Sequence, residues 1–149
     1  LPTIIRDYVR TGKARIRMQL LSFIGDDSRK AALAAYAAAE QNKLYDFTGL
    51  FFARQERENS GYVDDGFIGD IAKEIPGLDK SRFDTDRKSQ KASDMIDAAD
   101  REASKLQVGG TPAFYVSVDG GTPKPLPVND LTVDAFKRAL DAAIPSSAS

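Results

Sequence analysis

Two short segments of alternating polarity stand at either side of a long helical stretch. In Ala14–Leu21, the residues Ala14, Ile16, Met18 and Leu20 alternate with Arg15, Arg17 and Gln19. In Thr111–Val118, the residues Phe114, Val116 and Val118 alternate with Tyr115 and Ser117. Alternation sends successive side chains to opposite faces of an extended chain, so each segment predicts a strand with one wet side. The arginines of Ala14–Leu21 predict an edge strand. Between the two segments the apolar residues recur at the helical period. Strands flanking a block of about four helices predict an α/β sheet domain with a helical insertion, not a helical bundle.

Local signals divide the block. Residues 29–42 carry Ala31, Ala32, Ala34, Ala35, Ala37, Ala38 and Ala39, a concentration of the best helix former. Leu44, Phe47, Leu50 and Phe51 make the next stripe. Asp64 and Asp65 stand where an N-cap belongs, ahead of Phe67, Ile68, Ile71, Ala72 and Ile75, and Pro76-Gly77 ends that helix. A turn is expected near Asp79–Phe83. A long helix then carries Ala92, Met95, Ile96, Ala99, Ala103 and Leu106 on one face, with Asp97 and Arg101 spaced to pair at i,i+4.

The two ends carry signals of their own. Leu1–Arg10 has Ile4, Ile5, Tyr8 and Val9 at helical spacing, and Thr11-Gly12-Lys13 closes the segment. It reads as the end of a helix, so a fragment of a longer protein is expected. Asp119-Gly120-Gly121 signals a turn after the second strand, with Leu126–Val128 as the expected partner. Thr132 is placed to cap a last helix through Val133, Phe136, Leu140, Ala143 and Ile144, ended by Pro145. The tail Pro145–Ser149 is expected to be disordered.

Composition narrows the chemistry. The 149 residues suit one domain, or one domain with a sub-domain. The net charge of −1 argues against phosphate-driven nucleic-acid binding. No apolar run is long enough to predict a membrane span. With no cysteine and no histidine, the chain holds no thiolate nucleophile, disulfide, imidazole base or common zinc site.

The sharpest local feature is Val108-Gly109-Gly110-Thr111-Pro112-Ala113-Phe114. A proline at a strand start cannot donate to a ladder, so as a bare string this is a strand entry after a tight turn. Its context is a long amphipathic helix before it and strand, turn, short strand and terminal helix after it. That order resembles the second half of a thioredoxin fold. Leu1-Pro2-Thr3-Ile4-Ile5, with a glycine and an alternating strand after it, resembles the segment beyond the Cys-x-x-Cys in the active-site helix of DsbA-like proteins. The alanine-rich helix, Asn42–Phe47, Leu50–Gln55 and Pro76–Asp79 are similar to the helical insertion of the same family. The chain thus resembles the DsbA-like thiol–disulfide oxidoreductases of the thioredoxin superfamily along almost its whole length.

The resemblance implies a thioredoxin-like α/β fold with an inserted helical domain and with the N-terminal strand missing from this chain. Residues 1–27 and 107–149 would form the discontinuous sheet domain and residues 28–106 the insertion. The first strand and the Cys-x-x-Cys are expected upstream of Leu1, so no catalytic residue and no metal ligand is expected here. Gly110, Thr111 and Pro112 are the implied substrate-binding residues, with a cis Thr111–Pro112 bond turning the backbone of Thr111 toward an extended substrate strand. The two alternating segments would not be direct neighbours. The implied partners are extended polypeptides bearing thiols or disulfides, with no cofactor, no nucleic acid and an extracytoplasmic setting.

Other candidates read more simply as structure. Asp26/Asp27 and Asp64/Asp65 fit helix capping better than a cation cage, which needs more oxygen ligands. Tyr36, Tyr45, Phe47, Phe51 and Phe52 fit a packed stripe better than a substrate groove. Arg54–Glu58 and the mixed charges of residues 84–105 fit solvated faces. Two alternatives to the oxidoreductase stay open: a non-catalytic thioredoxin-fold module that binds peptides or a partner, and a glutathione-using kappa-class-like transferase.

Overall fold

The computed structural model describes residues 1–144, and the tail beginning at Pro145 lies outside them. The described residues fall into two compact units. One is Gln19–Lys105; the other joins Leu1–Met18 to the chain from Leu106 onward.

Gln19–Lys105 is helical. It contains α2 (Asp26–Ala39), α3 (Leu44–Ala53), α4 (Asp65–Glu74), α5 (Lys80–Asp86) and α6 (Gln90–Lys105). The alanines of α2 make a thin helix: Ala34, Ala35, Ala37 and Ala38 are buried, and α3, α5 and α6 all pack against this element. Small side chains let neighbouring helices approach and hand the core volume to larger residues. Phe47, Val63, Ile68, Ile71 and Phe83 fill it, each fully buried, with Phe47 and Phe83 ring centroids 5.8 Å apart. The α6 stripe meets the opposite side of α2, where Ile96 joins Ala32 and Tyr36. Ala92 and Ala99 are buried on the same face, as the spacing predicts.

Helix ends follow the sequence signals in most places. The Asp64 carboxylate accepts from the Phe67 N–H at 2.7 Å and caps α4. Gly77 after α4 has φ of +73°, a left-handed position that favours glycine. The stretch expected as a turn near Asp79–Phe83 is instead the start of α5, because the Asp79 carboxylate caps it through the Arg82 N–H at 3.0 Å. The block therefore holds five helices among the described residues, not about four. The i,i+4 pairing of Asp97 with Arg101 gives way to an ion pair across helices, Asp97 with Arg29 of α2 at 3.1 Å.

The other unit begins with α1 (Pro2–Ile4), which widens into a π-helical turn over Ile5–Val9. Ile4 and Tyr8 are its buried residues, and Gly12 at φ +74° ends it. After Leu106 come β1 (Tyr115–Val116), β2 (Lys124–Pro125) and α7 (Val133–Ala143). β1 and β2 form an antiparallel pair with Tyr115 opposite Pro125 and Val116 opposite Lys124. The expected partner at Leu126–Val128 is thus shifted toward the turn, although Leu126 N–H still donates to the Phe114 carbonyl at 2.8 Å. The Thr132 hydroxyl caps α7 through the Ala135 N–H at 3.3 Å, as predicted. The buried face of α7 is Ala135 and Ala139, with Phe136 set edge-on to Phe114 at 4.8 Å.

The strand expected at Ala14–Leu21 is not one. The segment is extended, and its burial alternates as predicted only as far as Met18, with Ala14, Ile16 and Met18 half-buried and Arg15 and Arg17 exposed. Gln19, expected on the exposed face, is half-buried because its amide donates to Glu102 of α6 at 2.5 Å. A strand also needs a second backbone beside it, and among the described residues none pairs with this segment. The second strand is likewise shorter than Thr111–Val118, because its first residues form the proline loop. No ladder joins the two segments among the described residues.

Candidate functional site

The proline loop follows α6. Leu106 and Gln107 turn the chain, with Gln107 at φ +54°, and the Leu106 carbonyl accepts from the Tyr115 hydroxyl at 3.1 Å. That bond ties the entrance of the loop to the strand at its exit. On the exit side Phe114 is anchored twice, by its carbonyl on Leu126 and by its ring on Phe136. The residues between these anchors, Gly109 to Ala113, are all exposed.

The Thr111–Pro112 peptide bond is cis, as the resemblance implies. The backbone of Gly110–Ala113 makes no backbone hydrogen bond among the described residues. The Thr111 hydroxyl also makes none there, so the local turn bond that would explain it structurally is absent among the described residues. Gly109 and Gly110 stand in open space, where an added Cβ would meet nothing within 4 Å. The loop therefore offers exposed peptide groups on a support fixed at both ends. Such groups can pair with an extended polypeptide by strand addition.

The remaining candidates separate clearly. Neither Asp26 nor Asp27 caps α2, contrary to the expectation from sequence, because both lie inside its first turn behind the N-cap Gly25. Asp27 is buried and accepts from the Gly61 N–H at 2.8 Å, and Asp26 stands where the helix dipole favours a carboxylate. Asp65 does not cap: it pairs with Arg87 at 2.8 Å, which holds its carboxyl below the ordinary carboxylate range. Among the described residues no group of three or more acidic side chains is placed to hold a metal ion. Tyr36 and Phe47 are core residues and Phe51 is half-buried, whereas Tyr45 and Phe52 are exposed. Arg54–Glu58 is a solvated end as expected, with Gln55–Glu58 exposed and Arg54 in a surface ion pair with Glu74 at 2.5 Å. No described helix is long and apolar enough to cross a membrane.

The Tyr115 tie is a contact beside the loop that periodicity does not reveal. Its only sequence signal is a tyrosine on the strand face opposite Phe114 and Val116, and a hydroxyl partner nine positions away leaves no periodic trace.

Comparison with known proteins adds the wider frame. The family described as Thioredoxin matches residues 1–142. A Bacillus cereus protein named probable disulfide bond formation protein D is 26% identical over 144 residues, covering 95% of this chain and 63% of its own length. The Bacillus subtilis disulfide bond formation protein D is 23% identical over 118 residues, covering 78% of this chain and 53% of its own length. The chain thus spans less than two thirds of these relatives.

Among solved structures, oxidised BdbD from Bacillus subtilis superposes with a TM-score of 0.74 at 20% identity, over 95% of this chain and 75% of that one. A thioredoxin-like oxidoreductase from Silicibacter pomeroyi gives 0.62 at 26% identity, over 84% and 65%. With the proline loop and the helical unit in place, the chain belongs to the thioredoxin family, as a DsbA-like member.

Proposed function

We propose that the full protein is a DsbA-like thiol–disulfide oxidoreductase and that this chain supplies its proline loop and helical insertion. The catalytic cysteine pair lies outside these 149 residues, which contain no cysteine. The observation that carries the reading is similarity along nearly the whole chain to relatives named for disulfide bond formation. The exchange requires a thiolate to attack a disulfide sulfur through a mixed-disulfide intermediate. In this reading Gly110, Thr111 and Pro112 hold an extended, thiol- or disulfide-bearing polypeptide beside that pair, and Thr111 offers its backbone to the substrate strand. Residues 1–27 and 107–149 are assigned in this reading to the sheet domain and residues 28–106 to the insertion, although residues 19–27 lie in the compact helical unit. The setting is extracytoplasmic, where disulfides persist.

The test is oxidation of a reduced dithiol peptide by the full-length protein, with glutathione disulfide supplied to reoxidise the cysteine pair after each cycle. Turnover that disappears when the cysteine pair is changed to serine is expected. Without cysteine-dependent turnover the reading fails. The absence of cysteine from this chain favours one other reading, a peptide-binding module without redox chemistry. Saturable binding of an extended peptide without turnover, weakened by substitutions in Gly110–Pro112, would select that module.

A further inference from the structure

The helical unit contains a cleft of about 510 Å³ where α2, the start of α4 and the α5–α6 junction meet. That volume falls in the range of small-molecule sites. Its floor is apolar, formed by half-buried Leu33 and buried Ile68. The carboxylates on its wall are already engaged. Asp64 caps α4, and Asp65 is bound by Arg87, which also reaches Asp84 at 3.0 Å.

The lysines have no such direct partner, although Lys88 stands close enough to Asp65 to add to the lowering of its carboxyl. Lys30 and Lys88 line the cleft, are exposed, and make no ion pair among the described residues. Ser93 adds a hydroxyl to the lining. Two unpaired ammonium groups on an open surface would read as ordinary solvated lysines. Here they border a concave site with an apolar floor, so an occupant meets cationic donors at the wall and hydrocarbon at the base.

We infer that this cleft binds a small amphipathic organic anion, its carboxylate held by Lys30, Lys88 and Ser93 and its apolar body laid on Leu33 and Ile68. The site lies wholly within the helical unit and is independent of the redox reading. Neither feature suffices alone: an apolar molecule leaves the ammonium groups without a counter-charge, and a bare anion leaves the floor uncovered.

The test titrates 4-phenylbutyrate into the full-length protein and follows the Leu33 and Ile68 methyl signals by NMR. Saturable shifts at both residues are expected. Acetate and the uncharged 4-phenylbutanol should each bind at least about tenfold more weakly. Lys30→Gln and Lys88→Gln should each raise the Kd about fivefold, while Lys30→Arg keeps the affinity. Both lysines are exposed, and unchanged spectra at the remaining methyls establish that the variants fold. No saturation up to about 10 mM overturns the inference. So do shifts centred elsewhere, equal binding of the alcohol, or a Kd that neither glutamine substitution moves.

Discussion

The Tyr8 hydroxyl donates to Asp141 Oδ1 at 2.7 Å, joining the turn after α1 to α7 across 133 positions of sequence. Tyr8 is 4% exposed, and its hydroxyl also approaches the Lys137 carbonyl at 3.4 Å. Burial first, and the Asp141 carboxylate second, push its ionisation up to about 12. A phenol raised in this way contributes stability that is complete below its unfolded value, near 10, and is lost as pH rises toward 12. Tyr8→Phe should cost about 1–2 kcal/mol at neutral pH. It should also remove that component of the alkaline loss. Chemical denaturation of both proteins from pH 7 to 12 checks this: a Tyr8→Phe deficit that stays constant through the range would contradict it.

Asp7 extends the same contact, accepting from Arg6 at 2.6 Å and from Lys137 at 2.8 Å. These bonds, Arg6 first, hold its carboxyl far below the ordinary carboxylate range. Arg6 is the adjacent residue and can make its pair in the unfolded chain, so the Lys137 contact carries the folding-dependent share. A depressed carboxylate contributes stability above its unfolded value, near 4, and that stability is lost as pH falls. A double-mutant cycle of Asp7→Asn with Lys137→Gln should show favourable coupling at pH 7 that fades below about pH 4. Coupling that does not change with pH would mean the pair does not act through charge.

Asp27 anchors the loop ahead of α4 to the first turn of α2 through the Gly61 N–H. At 5% exposure, Asp27→Ala loses a charge-assisted bond and leaves a small void, at a cost of about 1.5–3 kcal/mol. Asp27→Asn keeps an acceptor oxygen and should recover roughly half of that loss. Denaturation midpoints should rank the native chain first, Asp27→Asn second and Asp27→Ala last.

Gly25, the residue before α2, has φ of +138°, and a Cβ there would lie 2.6 Å from Asn59 Cγ. Gly25→Ala should therefore destabilise by about 1–3 kcal/mol through backbone strain together with the collision. Adding Asn59→Gly removes the colliding side chain and should restore part of the loss. Full restoration would show that the left-handed backbone carries no cost.

Phe83 is fully buried against Phe47. Phe83→Ala should cost about 3–5 kcal/mol, while Phe52→Ala, at a residue 60% exposed, should change stability by less than about 0.5 kcal/mol. Thermal melts of the two variants check the contrast between the stripe that packs and the aromatic that does not.

The sequence by itself determined what depends on neighbours within a turn or two of chain. The periodicity of Ile68, Ile71 and Ile75, the cap at Asp64, the cap at Thr132 and the position of the proline loop all rest on such local interactions, and all were legible. Even the alternating burial of Ala14, Ile16 and Met18 could be read, because it follows from an extended backbone alone. The tertiary structure decided everything that needs a distant partner. Whether Ala14–Leu21 becomes a strand depends on a second backbone, which periodicity does not encode. Asp97 chose Arg29 over Arg101 because α2 and α6 pack side by side. Asp27 found Gly61, Tyr8 found Asp141 and Tyr115 found Leu106 for the same reason. A charged or hydroxyl side chain can satisfy itself with many partners, and only the packing of the apolar core fixes which one comes within reach.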